Sequence, residues 1–121
     1  MPDYLALPTA ASLLATIAAC SPLAVLNTVT PTGQSVRMSG QPYGAGPRRK
    51  LDIHLPKDAK PSDRRKVVVF FYGGGWRGGA RGKYRFAGAA FAERGYVVVV
   101  PDYRIYPEVR FPAFVEDGAA A

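Results

Sequence analysis

Val67-Val68-Val69-Phe70-Phe71-Tyr72-Gly73-Gly74-Gly75-Trp76 is the stretch from which the rest of the chain is read. An unbroken run of apolar and aromatic residues stops at consecutive glycines. Because the first half does not alternate with polar residues, it is expected to be a parallel strand covered on both faces. The glycines have no side chains to pack. Without Cβ atoms the backbone can take positive φ and bring its N–H groups close to a partner that a side chain would block. Bare amides aimed at a ligand stabilise negative charge, so the turn suits either an oxyanion hole or a phosphate cradle.

Downstream, Gly78-Gly79-Ala80-Arg81-Gly82 prolongs the loop. Lys83 to Arg94 then pairs Phe86 with Ala90 and Ala87 with Phe91 at helical spacing, with Lys83, Arg85, Glu93 and Arg94 polar, which predicts an amphipathic helix. Gly95 stands where a glycine ends such a helix. Tyr96 to Val100 is a second apolar strand, closed by Pro101-Asp102. Strand, loop, helix and strand make a βαβ unit with parallel strands. Ligands of such sheets bind beyond the carboxyl ends of the strands, which puts the glycines and Asp102-Tyr103-Arg104 on one rim.

Upstream, Leu51, Ile53 and Leu55 alternate with Lys50, Asp52 and His54, a half-buried strand whose polar face puts His54 on the solvated rim. Ser35 to Met38 reads as an earlier strand and Gly40 to Pro47 as a loop. Leu23 to Val29 makes a short helical turn ended by Pro31-Thr32-Gly33. Met1 to Ala19 is apolar but shorter than the roughly 20 residues that span a bilayer, and it looks like a secretory h-region. Ile17-Ala18-Ala19-Cys20 resembles a bacterial lipobox, whereas Asp3 and the lack of Lys or Arg suit an uncleaved leader. Two readings stand: a lipidated Cys20 tethering an exported protein to a membrane, or a buried small hydrophobe in a cytoplasmic one. The expected division is a leader over 1–20, a linker over 21–42 and a partial domain over 43–121.

With 121 residues the chain holds at most one small domain, and 48 % hydrophobic against 21 % charged residues place it with globular proteins. Its net charge of +7 comes from short clusters, Arg48-Arg49-Lys50 and Arg64-Arg65-Lys66, that flank apolar runs. They read as solvated strand ends, and no nucleic-acid partner is expected. A single cysteine excludes an internal disulfide and a cysteine metal cluster. Neither a metal nor a cofactor is expected.

Gly73-Gly74-Gly75-Trp76-Arg77-Gly78 satisfies G-x-G-x-x-G, and Asp102 ends the next strand where a ribose-binding acid would stand. Against a nucleotide-binding module, Trp76 would crowd a pyrophosphate and the helix does not begin at the last glycine. Gly82-Lys83 is followed by Tyr84, so no Walker motif is present. A triad cannot be assembled either: His54 is the sole histidine, and Ser12, Ser21, Ser35, Ser39 and Ser62 all precede the turn outside any G-x-S-x-G elbow.

From about Tyr43 onward the chain resembles the amino-terminal part of an α/β-hydrolase of the esterase/lipase type, near the hormone-sensitive-lipase-like and feruloyl-esterase-like groups. The landmarks are ordered: Leu51-Asp52-Ile53-His54-Leu55-Pro56, Tyr72-Gly73-Gly74-Gly75-Trp76 in place of a His-Gly-Gly-Gly-aromatic turn, Gly95-Tyr96-Val97-Val98-Val99, Asp102-Tyr103-Arg104, and Pro107-Glu108 with Phe111-Pro112-Ala113. The resemblance implies an α/β fold in which early antiparallel strands lead into the parallel βαβ unit, the sheet being incomplete.

What the resemblance further implies is ester hydrolysis by a serine, histidine and acid, with backbone amides holding the oxyanion. Carried over by position, the amides of Gly74 and Gly75 are the donors, Gly73 and Tyr72 support the loop, and Trp76 lines a substrate pocket. Asp102, Tyr103 and Arg104 are expected to form a structural network. The triad would lie beyond the helix expected from about Phe111 to Ala121, so the chain is expected to be the catalytically incomplete part of a carboxylesterase acting on a small-molecule ester. The strand after Arg65-Lys66 would then show an open edge. A noncatalytic remnant or tethered interaction protein, and a nucleotide-binding module, are the alternatives.

Overall fold

The computed structural model describes residues 21–121. The leader and the Cys20 assignment lie outside the described residues. Helix α1 (Pro22–Val29) is followed by strands β1 (Ser35–Pro42), β2 (Lys50–Pro56) and β3 (Val67–Val69). A 3₁₀ turn (Arg81–Tyr84), α2 (Arg85–Ala92), β4 (Val97–Pro101) and α3 (Ala113–Ala120) complete the order.

The strands form one sheet in the order β1-β2-β4-β3. β1 with β2 and β2 with β4 are antiparallel, and β3 lies parallel to β4 with α2 in the crossover. This is the expected α/β arrangement, and it begins earlier than expected. Residues 21–42 hold α1 and β1, and β1 is hydrogen-bonded into the sheet. A register shift between Met38 and Gln41 lets β1 continue through Gly40, at φ 71, to Pro42, where a loop was expected. Asn27 ties α1 down by donating to the carbonyls of Gly82 and Lys83 at 3.2 and 3.0 Å.

The largest departures concern which sheet face is covered. His54, expected on the rim, is 1 % exposed. Its ring lies under α2, which buries Ala87, Gly88, Ala89 and Ala92 in place of the expected Phe86 and Phe91 stripes. An added Cβ at Gly88 would stand 2.4 Å from His54 Cδ2, so the glycine provides the room for the ring. Only short side chains allow this approach. Helix α2 is also shorter than the expected 83–94, because Arg81–Tyr84 tightens into the 3₁₀ turn. Gly95 takes φ 92 beyond the helix end, as expected of a terminating glycine.

β3 is shorter than the expected 67–72 strand and is not covered on both faces. Phe70 N–H still donates to the Val99 carbonyl at 2.8 Å, after which the chain leaves the ladder. Val67, Val69 and Phe71 are 60 %, 48 % and 49 % exposed. Among the described residues β3 pairs with β4 alone and is the edge strand expected from the sequence. The core sits on the other face, where Val98, Val100, Ala92, Tyr72 and Tyr103 pack with Val68, Phe70 and Tyr84.

Candidate functional site

The glycine turn leaves the sheet just past the carboxyl end of β3 and is held in left-handed geometry. Gly74 and Gly75 have φ of 143° and 58°, and Trp76, which carries a side chain, has 61°. A bulky residue there costs about 1–3 kcal/mol unless its surroundings hold it. They do. Arg77 N–H donates to the Gly74 carbonyl at 3.0 Å, and Tyr106 N–H to the Trp76 carbonyl at 2.8 Å. At Gly74 a Cβ would come within 2.5 Å of the Gly78 carbonyl oxygen, so the turn closes too tightly for any other residue.

Gly73, Gly74, Gly75 and Trp76 are all exposed. Among the described residues neither the Gly74 nor the Gly75 amide has an acceptor.

Beneath the turn lies a buried polar network. Tyr72 Oη donates to Asp102 Oδ1 at 2.6 Å, and Tyr103 Oη donates to the Tyr72 carbonyl at 2.6 Å. Arg81 bridges two carboxylates: its backbone N–H reaches Asp102 Oδ1 at 2.7 Å, its Nη1 binds Asp102 Oδ2, and its Nε reaches Asp52 Oδ1 at 2.8 Å. Arg48 clasps the loop from below, with Nη2 on Tyr72 Oη (3.2 Å) and the Gly79 carbonyl (3.0 Å) and Nε on the Tyr103 carbonyl (2.8 Å). It joins Tyr72, just before the glycines, to Gly79 at the far end of the loop.

Electrostatics bias the ionisation of Tyr72 and Asp52 in this network. Burial and then the hydrogen bond to Asp102 push the Tyr72 hydroxyl far above its ordinary value, so it remains a donor. Burial alone would raise Asp52; bonds from Gly40 N–H, Arg37, Arg81 and Ser39 outweigh it and hold the carboxyl below the usual carboxylate range. Asp117 on α3 is lowered chiefly by the Arg104 side chain, against burial, with the Arg104 amide and Arg49 adding to the effect.

The expected rim residues therefore come together, with different tasks. Gly74 and Gly75 present amides, Trp76 stacks on Phe114 at 5.1 Å between ring centroids, and Tyr72 fastens the turn through its hydroxyl. Asp102, Tyr103 and Arg104 are engaged in structural hydrogen bonds. Asp102, the ribose-binding candidate of the nucleotide alternative, is 5 % exposed with both carboxylate oxygens occupied. Arg48 and Arg49, read as a solvated strand end, are instead committed to Tyr72, Tyr103, Gly79 and Asp117. Arg81 and Asp52 carried no sequence signal for their pairing, because they are 29 positions apart and belong to no spacing rule.

The profile of the BD-FAE family matches residues 51–121, more than half of the chain. The chain belongs to the BD-FAE family. This is an α/β-hydrolase family of esterase type, and the matched span runs from β2 through the glycine turn to α3. A probable isoprenylcysteine alpha-carbonyl methylesterase from Oryza sativa subsp. japonica is 38 % identical over 77 residues, covering 64 % of this chain and 18 % of that protein. The chain thus spans about a fifth of the length of the curated relatives it matches.

Solved esterases agree with the BD-FAE assignment. A thermophilic esterase from Thermogutta terrifontis superposes with a TM-score of 0.57 at 31 % identity, covering 74 % of this chain and 32 % of its own. Esterase B from Lactobacillus rhamnosis superposes with a TM-score of 0.71 over 91 % of this chain and 35 % of its own; at 24 % identity it speaks to the fold alone.

Proposed function

We propose that this chain supplies the oxyanion hole of a serine carboxylic-ester hydrolase, with the amides of Gly74 and Gly75 as donors to the carbonyl oxygen of a small-molecule ester. The observation that carries this is the exposed Gly74–Gly75 turn, whose amides have no acceptor among the described residues and which is fastened by Tyr72, Arg48 and Asp102. Donors already in place stabilise the charge that develops on the oxygen without reorganising at the moment of reaction. Trp76 and Phe114 form the aromatic wall beside the reacting carbonyl. The hydrolase portion takes in residues 43–121 together with β1, which is hydrogen-bonded into the same sheet. The attacking serine, its histidine and its acid come from sequence outside these 121 residues, since no G-x-S-x-G is present in them.

Membership of the BD-FAE family and the esterase relatives support the reaction class. The test is Gly74→Ala in the esterase that carries this segment, assayed on p-nitrophenyl acetate. The alanine keeps its N–H, but its Cβ would meet the Gly78 carbonyl oxygen at 2.5 Å and so displaces the turn and its amides. Loss of an oxyanion donor lowers kcat by about 10²–10³-fold, with KM little changed. A variant with unaltered kcat would remove Gly74 from the reaction. Turnover by the 121-residue chain alone would overturn the assignment of the nucleophile to sequence outside it.

A further inference from the structure

Two clefts meet at the stacked Trp76–Phe114 pair, and they differ in chemistry. On one side, a cleft of about 350 Å³ is walled by Phe71, Val115, Gly118 and Ala119 and is almost wholly apolar. On the other, a cleft of about 300 Å³ runs from Gly75 past Arg77, Tyr106 and Arg110 to Phe111. Two cations share one aromatic ring there. The guanidinium carbon of Arg77 lies 4.9 Å from the Tyr106 ring centroid, and that of Arg110 lies 5.7 Å from it.

These arginines are set apart from the others around this rim. Arg48, Arg49, Arg81 and Arg104 commit their donors to carboxylates, carbonyls or a tyrosine oxygen. Arg77 and Arg110 have no carboxylate within salt-bridge distance and no side-chain hydrogen bond among the described residues. The contact with the Tyr106 ring is a cation–π contact and uses none of the N–H donors of either guanidinium. Such donors bind carboxylate or phosphate oxygens in pairs, and the bonds are charge-assisted. Trp76, Phe111 and Phe114 supply apolar surface for the body that carries the anion.

We infer that the Arg77–Tyr106–Arg110 cleft is an anion-recognising subsite that takes a carboxylate or phosphate borne on an aromatic or apolar body. Gly75 belongs to the same cleft, so a ligand whose carbonyl rests on the glycine-turn amides extends its charged arm between the two arginines. As a statement about substrate this rests on the esterase proposal: the preferred esters are anionic ones. As a statement about binding it stands apart from that proposal.

Trp76 is the sole tryptophan of the chain and stands between the two clefts, so its emission reports binding at either, and the arginine variants distinguish them. The experiment titrates the 121-residue chain with phenyl phosphate, with benzoate and with neutral benzyl alcohol while following that emission. Both anions are expected to give saturable changes and to bind about tenfold or more tighter than the alcohol, with the difference shrinking as salt screens the arginines. Arg77→Gln and Arg110→Gln, both at exposed positions, should each bring the anions towards the affinity of the alcohol while leaving the alcohol unchanged. A preference between phenyl phosphate and benzoate identifies which anion the arginine pair fits. Equal binding of the alcohol, indifference of the anions to both variants, or no saturable change with either anion would overturn the subsite. None of these outcomes touches the Gly74 test, and a failed Gly74 test leaves the binding result standing.

Discussion

The two faces of the sheet invert what their residue types suggest. Asp52 and His54 lie on the covered face beside Val98 and Val100, and each is 1 % exposed. Val67, Val69 and Phe71 lie on the opposite face, open to solvent at the β3 edge. Polarity therefore did not decide burial here. The covered face accepts polar groups because each is partnered or given room: Asp52 receives Arg37, Arg81, Ser39 and Gly40, and Gly88 steps back from the His54 ring. A buried carboxylate is tolerated only where such donors surround it.

The largest effect is expected from Gly88→Ala. In an exposed helix this change gains about 1 kcal/mol of propensity. Here the added Cβ would meet the His54 ring at 2.4 Å, so the sign reverses and stability falls by about 1–3 kcal/mol. Urea denaturation measures it. A stabilised variant would mean that the covered face is looser than its geometry indicates.

Acid should act on the same face in two stages. Burial, then the field of Arg37, holds the His54 pKa below its ordinary value of 6.5, with Asp52 opposing. A folded pKa below the unfolded one means that the unfolded chain binds the proton first. The stability due to neutral His54 is therefore complete above about pH 6.5 and is lost as the pH falls through the depressed folded value. Asp52 and Asp117, also depressed, contribute stability that is complete above the ordinary carboxylate range near 3.8 and lost at more acidic pH. Denaturation midpoints followed from pH 8 to pH 3 should show both stages, and His54→Gln should remove only the first.

The smallest effect is expected on the open face. Val69→Thr keeps the β-branched shape and adds a hydroxyl that water can satisfy, so stability should change by no more than about 0.5 kcal/mol. A cost comparable to that of Gly88→Ala, in the same urea series, would show that this face is covered in solution and would erase the contrast between the two.

Much of the site was legible because local chemistry suffices for it. Three glycines after an apolar run specify a turn with positive φ and bare amides, and the Asp102-Tyr103-Arg104 stop was readable as a network at the end of the next strand. His54 was misplaced because alternation in β2 reports a two-faced strand without saying which face α2 will cover. Arg48 was misplaced for a related reason. A cationic cluster beside a strand reads as solvated until Tyr72, Gly79 and Tyr103, distant in sequence, converge on it.

The sequence by itself determined the βαβ order, the glycine turn and the resemblance to esterases, since backbone freedom and runs of β-favouring residues act over neighbouring positions. Only the tertiary structure decided that Asp52 and His54 are buried while valines face water, that Arg81 joins two aspartates beneath the turn, and that Arg77 and Arg110 face a common tyrosine. Burial and charge pairing depend on which segments meet across the fold, and no local pattern encodes that meeting.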